Sequence, residues 1–490
     1  MITPRHRDVA LLVAGCYFME MLDGTIVTTA SPQIGRSLHA PAAAVGLVVT
    51  AYLLTLAVLI PLSGWLTRRY GNRRVFLTAI ALFTLASVGC AASVNLGMLV
   101  AMRVLQGAGG AMMVPVGRTM VLSPAAKADI LRLTSYVVWP GLLAPVVAPL
   151  AGGLITTYAS WHWMFLINVP LGAVAFAAAW RLVTAAPVVA AAPAADGKPP
   201  GAPPREDAPP EVPVPGGSAP PPLDWAGVVL TCAGLGGLTY AAHLVTLPAV
   251  PVAQAAVFGA AALALLAGAV AHLRRAPYPL LNLRTLAVRT FRVSQLGGTM
   301  YYFVVGAMPF LLPLMFQVQF GWSPVKSGAV TAFVFVGNVG IKPATTPLIN
   351  RFGFRPLLIA STLGTTVIVD ALGFTTAATP VAVIAALALA SGITRSTGFT
   401  VYTTVGLADM VPELMRDANT LAATSLQLGA GLAVAGGAVA LRIGEVAAGG
   451  GQAAYPVAFC LLAVVAAGCA AGALRMDPRA GNAARRPRTA

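Results

Sequence analysis

The chain has 490 residues, of which 58% are hydrophobic and only 9% are charged. A soluble globular domain carries roughly 25% charged residues, so this composition excludes a water-soluble fold and predicts an integral membrane protein. The net charge of +16 would favour nucleic-acid binding in a soluble chain, but the placement of the basic residues explains it without that partner. The five cysteines show no Cys-x-x-Cys spacing, which favours neither a disulfide framework nor a zinc site.

Apolar segments of about 20 residues or more predict membrane-spanning helices. We predict fourteen such helices, in chain order at 9–34, 43–66, 75–94, 97–122, 133–157, 163–183, 224–246, 252–272, 290–317, 325–349, 356–376, 380–405, 418–443 and 453–474. With the N-terminus in the cytoplasm, most of the 31 Lys and Arg residues fall in cytoplasmic loops and tails. This positive-inside bias predicts an even number of spans with both termini in the cytoplasm.

A short basic turn occurs twice in the chain. The sequence RYGNR at Arg69–Arg73 recurs as RFGFR at Arg351–Arg355, and each copy lies between two predicted spans. Repeated halves with a substrate site between them are typical of secondary transporters. We therefore divide the chain into five parts: an N-terminal six-helix bundle at 1–183, a cytoplasmic linker at 184–222, two inserted helices with a loop at 223–284, a C-terminal six-helix bundle at 285–475 and a basic cytoplasmic tail at 476–490.

The linker at 184–222 is rich in Pro and Ala. Such a composition cannot bury a core, so we predict a disordered spacer. A proline-rich docking peptide is the alternative, because extended Pro-rich segments are ligands of several binding modules.

Four stretches resemble motifs of the fourteen-helix drug:proton antiporter group of the Major Facilitator Superfamily. They are the first-helix motif at Leu22–Val27, the loop motif at Gly64–Arg74, the helix 4 motif at Arg103–Gly110 and the helix 5 antiporter motif at Ala148–Gly153, with Ala148 where Gly is usual. Within the group, residues 110–118 and 158–163 resemble MdtD-type exporters of Gram-negative bacteria.

The resemblance implies a fold and a function. The fold is an all-α membrane protein of the major facilitator type, in which two six-helix bundles are related by a pseudo-twofold parallel repeat and two helices are inserted between them. The function is proton-coupled export of small molecules, of the multidrug efflux type, by alternating access. We accordingly expect a monomer in the lipid bilayer of the bacterial inner membrane that uses the proton gradient, needs no cofactor or metal and binds no nucleic acid.

The loop motif departs from the group's pattern at one position. The group has an Asp before the first Arg of the motif, where this chain has Arg68, and the second copy has Asn350. In the family that Asp helps to hold the two halves in one conformation, so this stabilisation is in question here. By resemblance we still assign Arg69, Gly71 and Arg73 a conformational role.

Two acidic residues, Glu20 and Asp23, lie within the first apolar segment. A charge at the centre of a membrane helix costs at least about 2.5 kcal/mol on insertion scales. The two residues are three apart and share a helix face, which we predict looks into a water-accessible cavity and exchanges protons. The resemblance gives Arg103 a part in this proton transfer. The alternative is a polar cluster, or an ion pair to Arg103, that only locks helix packing.

Other polar residues within the spans are candidates for the substrate cavity. We predict that Gln106, Arg118, Lys342 and Arg395 line it. The alternative for the three bases is snorkelling to the interface or charge pairing. Because basic residues outnumber acidic ones within the spans, export of an organic anion, such as a carboxylate metabolite or its metal chelate, is a second hypothesis. A membrane enzyme or sensor is disfavoured, since no Ser/His/Asp or His-x-x-x-His arrangement is present.

The fifth predicted helix contains prolines, which bend a helix, and glycines, which let a neighbouring helix pack closely. Pro145 and Pro149 each remove a backbone hydrogen bond, and Gly152 and Gly153 permit close packing. We predict that this helix flexes between the halves; a bent but static helix is the alternative. In the loop that follows, Trp161 is expected to anchor the chain at the membrane interface.

Overall fold

The structure is a computed structural model, which describes residues 4–41, 43–122, 129–183, 222–247, 249–408, 410–448 and 453–476. All secondary structure in these ranges is helical, as expected in lipid, where each backbone polar group must be paired within its own segment. The predicted linker lies outside the described residues except for its last residue, and so does the predicted tail except for its first. The division into five parts stays a prediction.

The helices are numbered in chain order. The N-terminal half contains α1 (Pro4–Ser37), α2 (Gly46–Leu59), α3 (Leu62–Tyr70), α4 (Asn72–Ala91), α5 (Leu96–Leu122), α6 (Ile130–Tyr158), α7 (His162–Leu166) and α8 (Asn168–Leu182). The inserted pair is α9 (Trp225–Val245) and α10 (Val252–Arg275). The C-terminal half contains α11 (Arg289–Leu314), α12 (Pro324–Gly340), α13 (Lys342–Phe352), α14 (Phe354–Gly373), α15 (Val381–Ala408), α16 (Met415–Ala447) and α17 (Ala454–Leu474).

The number of membrane spans depends on two bent helices. Twelve helical stretches in the described chain are long and apolar enough to cross a membrane, with α7 and α8 together forming one of them. The pairs α2–α3 and α12–α13 pass the same test only when joined, and they are bent by 59° and 50°. Pro61 at the first bend and Pro343 at the second cannot donate a backbone hydrogen bond, which explains the breaks. The predicted fourteen spans are reached if each bent pair crosses as one.

The repeated basic turn has the same geometry in both halves. Gly71 and Gly353 adopt φ angles of 81° and 89°, a region that favours glycine, and each ends one helix and begins the next. The guanidinium of Arg73 donates a hydrogen bond of 3.1 Å to a carbonyl in the last turn of α8. Arg355 donates one of 2.7 Å to a carbonyl at the end of α17. We call the end of the molecule that carries these two turns the turn end.

The two halves touch at the end opposite the turn end. There α6 packs against α12 and α2 against α16, while the inserted helix α9 lies beside α2 and α16. Gln317 donates a hydrogen bond of 2.9 Å to the carbonyl of Thr29 in the other half. A Cβ on Gly153 would stand 2.9 Å from the backbone of Val325, so the backbones of α6 and α12 approach closely. Helix α6 stays continuous through its prolines.

Candidate functional site

A cavity of about 990 Å³ opens between the halves at the turn end. Its walls come from α1, the bend between α2 and α3, α3, α5, residues 222–224, the segment 277–282 and the first turns of α16. The volume lies at the upper end of the range for small-molecule pockets. Aromatic and apolar side chains alternate with polar ones in the lining, which includes Tyr17, Glu20, Met21, Trp65, Arg68, Arg118, Tyr278, Asn282, Asp417, Leu426 and Gln427.

Glu20 lies at the inner end of this cavity. Its side chain is 4% exposed, and its Oε2 atom has no hydrogen-bond partner among the residues described. The Arg118 guanidinium, which interacts electrostatically with the Glu20 carboxyl, lies over the Tyr17 ring at 5.3 Å from the ring centroid. An incompletely bonded carboxyl group at a cavity wall can take up a proton or pair with a cationic ligand, since either satisfies the free oxygen.

Asp23 does not line the cavity, so the prediction that it shares a cavity face with Glu20 is wrong in this conformation. Side chains three residues apart on a helix still differ in direction by about 60°, and this difference points Asp23 into the N-terminal bundle, where it is 1% exposed. It forms an ion pair with Arg103. It also accepts hydrogen bonds from Gln106 at 2.9 Å and Asn168 at 2.7 Å.

Arg103 is the centre of this buried cluster and is fully inaccessible. Its Nη1 atom donates to Asp23 and, at 2.8 Å, to Gln106 Oε1. Its Cζ atom lies 4.1 Å from the centroid of the Tyr52 ring. Its Nη2 atom has no partner in the described chain. The arrangement fits the structural alternative, an ion pair that locks helix packing.

Gln106 was predicted to line the cavity, and this prediction is wrong as well. The side chain is buried, and its amide bridges Asp23 to the hydroxyl of Ser87, with an Nε2–Oγ distance of 2.8 Å. Sequence reasoning missed the roles of Ser87, Asn168 and Tyr52. Asn168 could have been identified from the sequence, because an amide in the middle of an apolar span needs a hydrogen-bond partner. The sequence gives no such indication for Ser87 or Tyr52.

The predicted C-terminal bases form a separate group that does not line the cavity. Arg395 Nη2 lies 3.3 Å from the Tyr302 hydroxyl, and Lys342 Nζ lies 3.4 Å from the Thr400 hydroxyl. The ring of Phe399 is 5.8 Å from Lys342 Nζ. Within the described ranges neither base forms an ion pair with a carboxylate. Of the four residues predicted for the cavity, the structure therefore places Arg118 alone in its wall.

The segment 277–282, which forms one wall of the cavity, is anchored at Leu280 and Asn282. Asp224 caps α9 through a 2.8 Å bond from the Gly227 amide and accepts further hydrogen bonds from His272 at 2.6 Å and the Leu280 amide at 3.0 Å. Burial alone would raise the pKa of Asp224, but these hydrogen bonds lower it overall. Asn282 donates to Asp417 of α16 at 2.7 Å. The inserted pair is thereby tied to the C-terminal half.

Trp161 is also placed differently from the prediction. It was expected at the membrane interface, but it is 1% exposed. Its ring stacks on His162 with centroids 3.8 Å apart and meets Phe165 edge-on at 6.1 Å. The residue therefore belongs to the core of the N-terminal half.

Comparisons with known proteins agree with this architecture. A family model described as Major Facilitator Superfamily matches residues 13–284. The chain is 33% identical over 435 residues to the putative multidrug resistance protein MdtD of Pectobacterium atrosepticum, covering 88% of this chain and 86% of that protein. It is 34% identical over 425 residues to the protein of the same name from Cronobacter sakazakii, covering 86% and 83%. The crystal structure of a D-xylose–proton symporter superposes with a TM-score of 0.62 at 15% identity, covering 94% and 96% of the two chains, which shows the fold alone.

Proposed function

The chain belongs to the Major Facilitator Superfamily, and we propose that it exports small lipophilic compounds across a bacterial inner membrane in exchange for protons. The observation that carries the proposal is the Glu20 carboxyl at the inner end of the cavity, with one oxygen free of hydrogen bonds. The name of the two relatives, putative multidrug resistance protein, supports the substrate class.

The exchange works through competition for Glu20. When the cavity faces the cytoplasm, a cationic or polar substrate enters between Tyr17, Trp65 and Met21 and displaces the proton from the carboxyl. The halves then separate at their contact end and close at the turn end. A proton from the outside rebinds Glu20 and releases the substrate there. A proton exchanged for an uncharged substrate moves one net charge inward and gains roughly 2.3 kcal/mol for each 100 mV of membrane potential. Exchange for a monovalent cation is electroneutral and is driven by the pH gradient and the substrate gradient alone.

The remaining expectations belong to this proposal. The turn end faces the cytoplasm together with both termini, the proton gradient is the driving force, and the working unit is a monomer without cofactor, metal or nucleic acid. Arg69, Gly71 and Arg73 at the turn, and the Pro145–Gly153 part of α6, keep their predicted conformational roles. Close packing of Gly153 on α12 supports a role for α6 at the contact between the halves.

Export of an organic anion is the second candidate. It is favoured by Lys342 and Arg395, two half-buried bases that lack ion pairs in the described part of the molecule and lie beside aromatic rings. A planar guanidinium and an ammonium together match a carboxylate. The location of both bases outside the cavity wall places this candidate second.

Purified protein in liposomes, loaded with a pH-sensitive dye, tests the proposal. We expect ethidium addition to drive proton movement in the wild type, and Glu20→Gln to abolish it. Asp370→Asn is the matched control, because Asp370 is an intramembrane acid of α14 that accepts a hydrogen bond from Cys460 and does not line the cavity. Proton movement driven by citrate and not by ethidium would establish the second candidate, and undiminished exchange in Glu20→Gln would refute the role of Glu20.

A further inference from the structure

Three buried polar atoms that have no hydrogen-bond partner among the described residues lie on a path from the cavity to the buried ion pair. They are Glu20 Oε2, the Tyr52 hydroxyl and Arg103 Nη2. Tyr52, on α2, is 1% exposed, and its ring faces the Arg103 guanidinium at 4.1 Å. Buried polar groups are paired in nearly all native structures, so three unpaired atoms in one neighbourhood indicate a group whose bonding changes.

Because Gly110 has no side chain, there is space beside the Tyr52 hydroxyl. A Cβ on Gly110 would stand 3.4 Å from that hydroxyl and 3.7 Å from Glu20 Cδ, so both groups border the same space. Gly110 and Glu20 also line the cavity, which means that the inner end of the cavity reaches this space. Water from the cavity can therefore bridge the carboxyl and the hydroxyl, provided that residue 110 has no side chain.

We propose that Tyr52 is a positioning residue that couples the protonation of Glu20 to the Arg103–Asp23 ion pair. The inference rests on the proton-coupled export proposed above and adds the link between its two acidic residues. When Glu20 is ionised, the Tyr52 hydroxyl donates to it across the Gly110 space, directly or through one water. When Glu20 is protonated, its carboxyl is a weaker hydrogen-bond acceptor for the Tyr52 hydroxyl. The Tyr52 ring, which packs against Arg103, is then free to shift together with its hydroxyl.

The coupling is local, because few other charged or titratable groups face Glu20. They are Tyr17, Cys16 and Asp23 on its own helix, Arg118 on α5 and Tyr52 on α2. From the other half, Tyr302 faces Tyr17. Arg118 acts on Glu20 from the cavity side, whereas Asp23 and Tyr52 both contact Arg103. Of these two, Tyr52 has its hydroxyl beside the Gly110 space that Glu20 also borders.

Infrared difference spectroscopy of the purified protein at successive pH values tests the inference without a substrate. The Glu20 carboxyl band is assigned by its loss in Glu20→Gln. In Tyr52→Phe the ring remains under Arg103 and only the hydroxyl is lost. Because that hydroxyl favours the ionised carboxyl, we expect the titration midpoint of the band to rise by about one pH unit. Gly110→Ala, which fills the shared space, should move it in the same direction.

Tyr301→Phe is the matched control, because Tyr301 is an equally buried tyrosine in the other half whose hydroxyl bonds to Thr365 and Thr394. It should leave the Glu20 midpoint unchanged. In liposomes, Tyr52→Phe should reduce proton-driven ethidium export about tenfold, the factor that one pH unit represents, and preserve ethidium–ethidium exchange. An unchanged Glu20 midpoint in Tyr52→Phe overturns the inference. Absence of ethidium-driven proton movement in the wild type counts against the proposed function instead, since the titration does not depend on transport.

Discussion

Arg103 and Arg395 lie on corresponding helices of the two halves, α5 and α15, but in opposite electrostatic settings. Arg103 is fully buried and bonded to Asp23, Gln106 and the Val48 carbonyl. Arg395 is half-buried, and within the described chain it contacts the Tyr302 hydroxyl and aromatic rings. The backbone framework around them is repeated, down to the glycine turns with φ angles of 81° and 89°.

This difference shows which features the two halves share and which occur in one half only. The repeat supplies helices, turns and the contacts between halves, which any alternating-access carrier of this type needs. The carboxylates Glu20 and Asp23 occur on α1 without a counterpart on α11, whose sequence from Arg289 to Leu314 contains no Asp or Glu. The two acidic residues of the first helix are therefore not part of the repeated framework.

Breaking the ion pair gives the largest expected effect. Arg103→Gln leaves the Asp23 carboxylate buried without its cation, which costs about 3–5 kcal/mol of unfolding free energy. Arg395→Gln removes a base without orphaning an acid, so its cost should be below about 1 kcal/mol. Unfolding in a detergent titration measures both.

The double variant Asp23→Asn/Arg103→Gln sharpens this test. It should recover part of the loss, because no uncompensated charge stays buried. Equal destabilisation by Arg103→Gln and Arg395→Gln would contradict the contrast between the halves, whatever the double variant shows.

A second test compares two glycines at corresponding places in the contact between halves. A Cβ on Gly46 would meet the Phe310 ring at 3.0 Å and the Val434 side chain at 3.3 Å, both of which can move. A Cβ on Gly328 would overlap the backbone of Pro149 in α6, which cannot move without shifting the helix. We expect Gly328→Ala to cost about 1–3 kcal/mol and Gly46→Ala less.

The Gly328 variant also tests how readily the two halves separate. Gly328→Ala should favour separation of the halves at their contact end, measured as faster labelling of a cysteine introduced at Gln317. Gly236→Ala, at a position with open space around it, is the control and should change neither quantity. Similar costs for the Gly46 and Gly328 variants would mean that the two contacts are equally adaptable.

The sequence predicted the helical spans and singled out Asp23 and Arg103, which the structure pairs, because long apolar runs and rare intramembrane charges are strong signals. It failed on which way Asp23 and Gln106 point. In a soluble helix an apolar face identifies the core, but lipid is as apolar as the core, so hydropathy does not fix the rotation of a membrane helix. Tyr52 and Trp161 were missed for a related reason, since an aromatic residue suits lipid, interface and core alike.

The smallest effect concerns the turn arginines, where the halves should behave alike. Arg73 and Arg355 each donate to a backbone carbonyl of the last helix of their own half. Replacement by Gln removes one charged hydrogen bond at a partly exposed site, so each variant should lose about 1 kcal/mol of unfolding free energy. Arg74→Gln, at a neighbouring exposed position, is the control and should lose nothing measurable. Because the two turns are far apart, the double variant should lose the sum of both single values, and a much larger loss for Arg73 than for Arg355 would show that the turn carries a function in one half only.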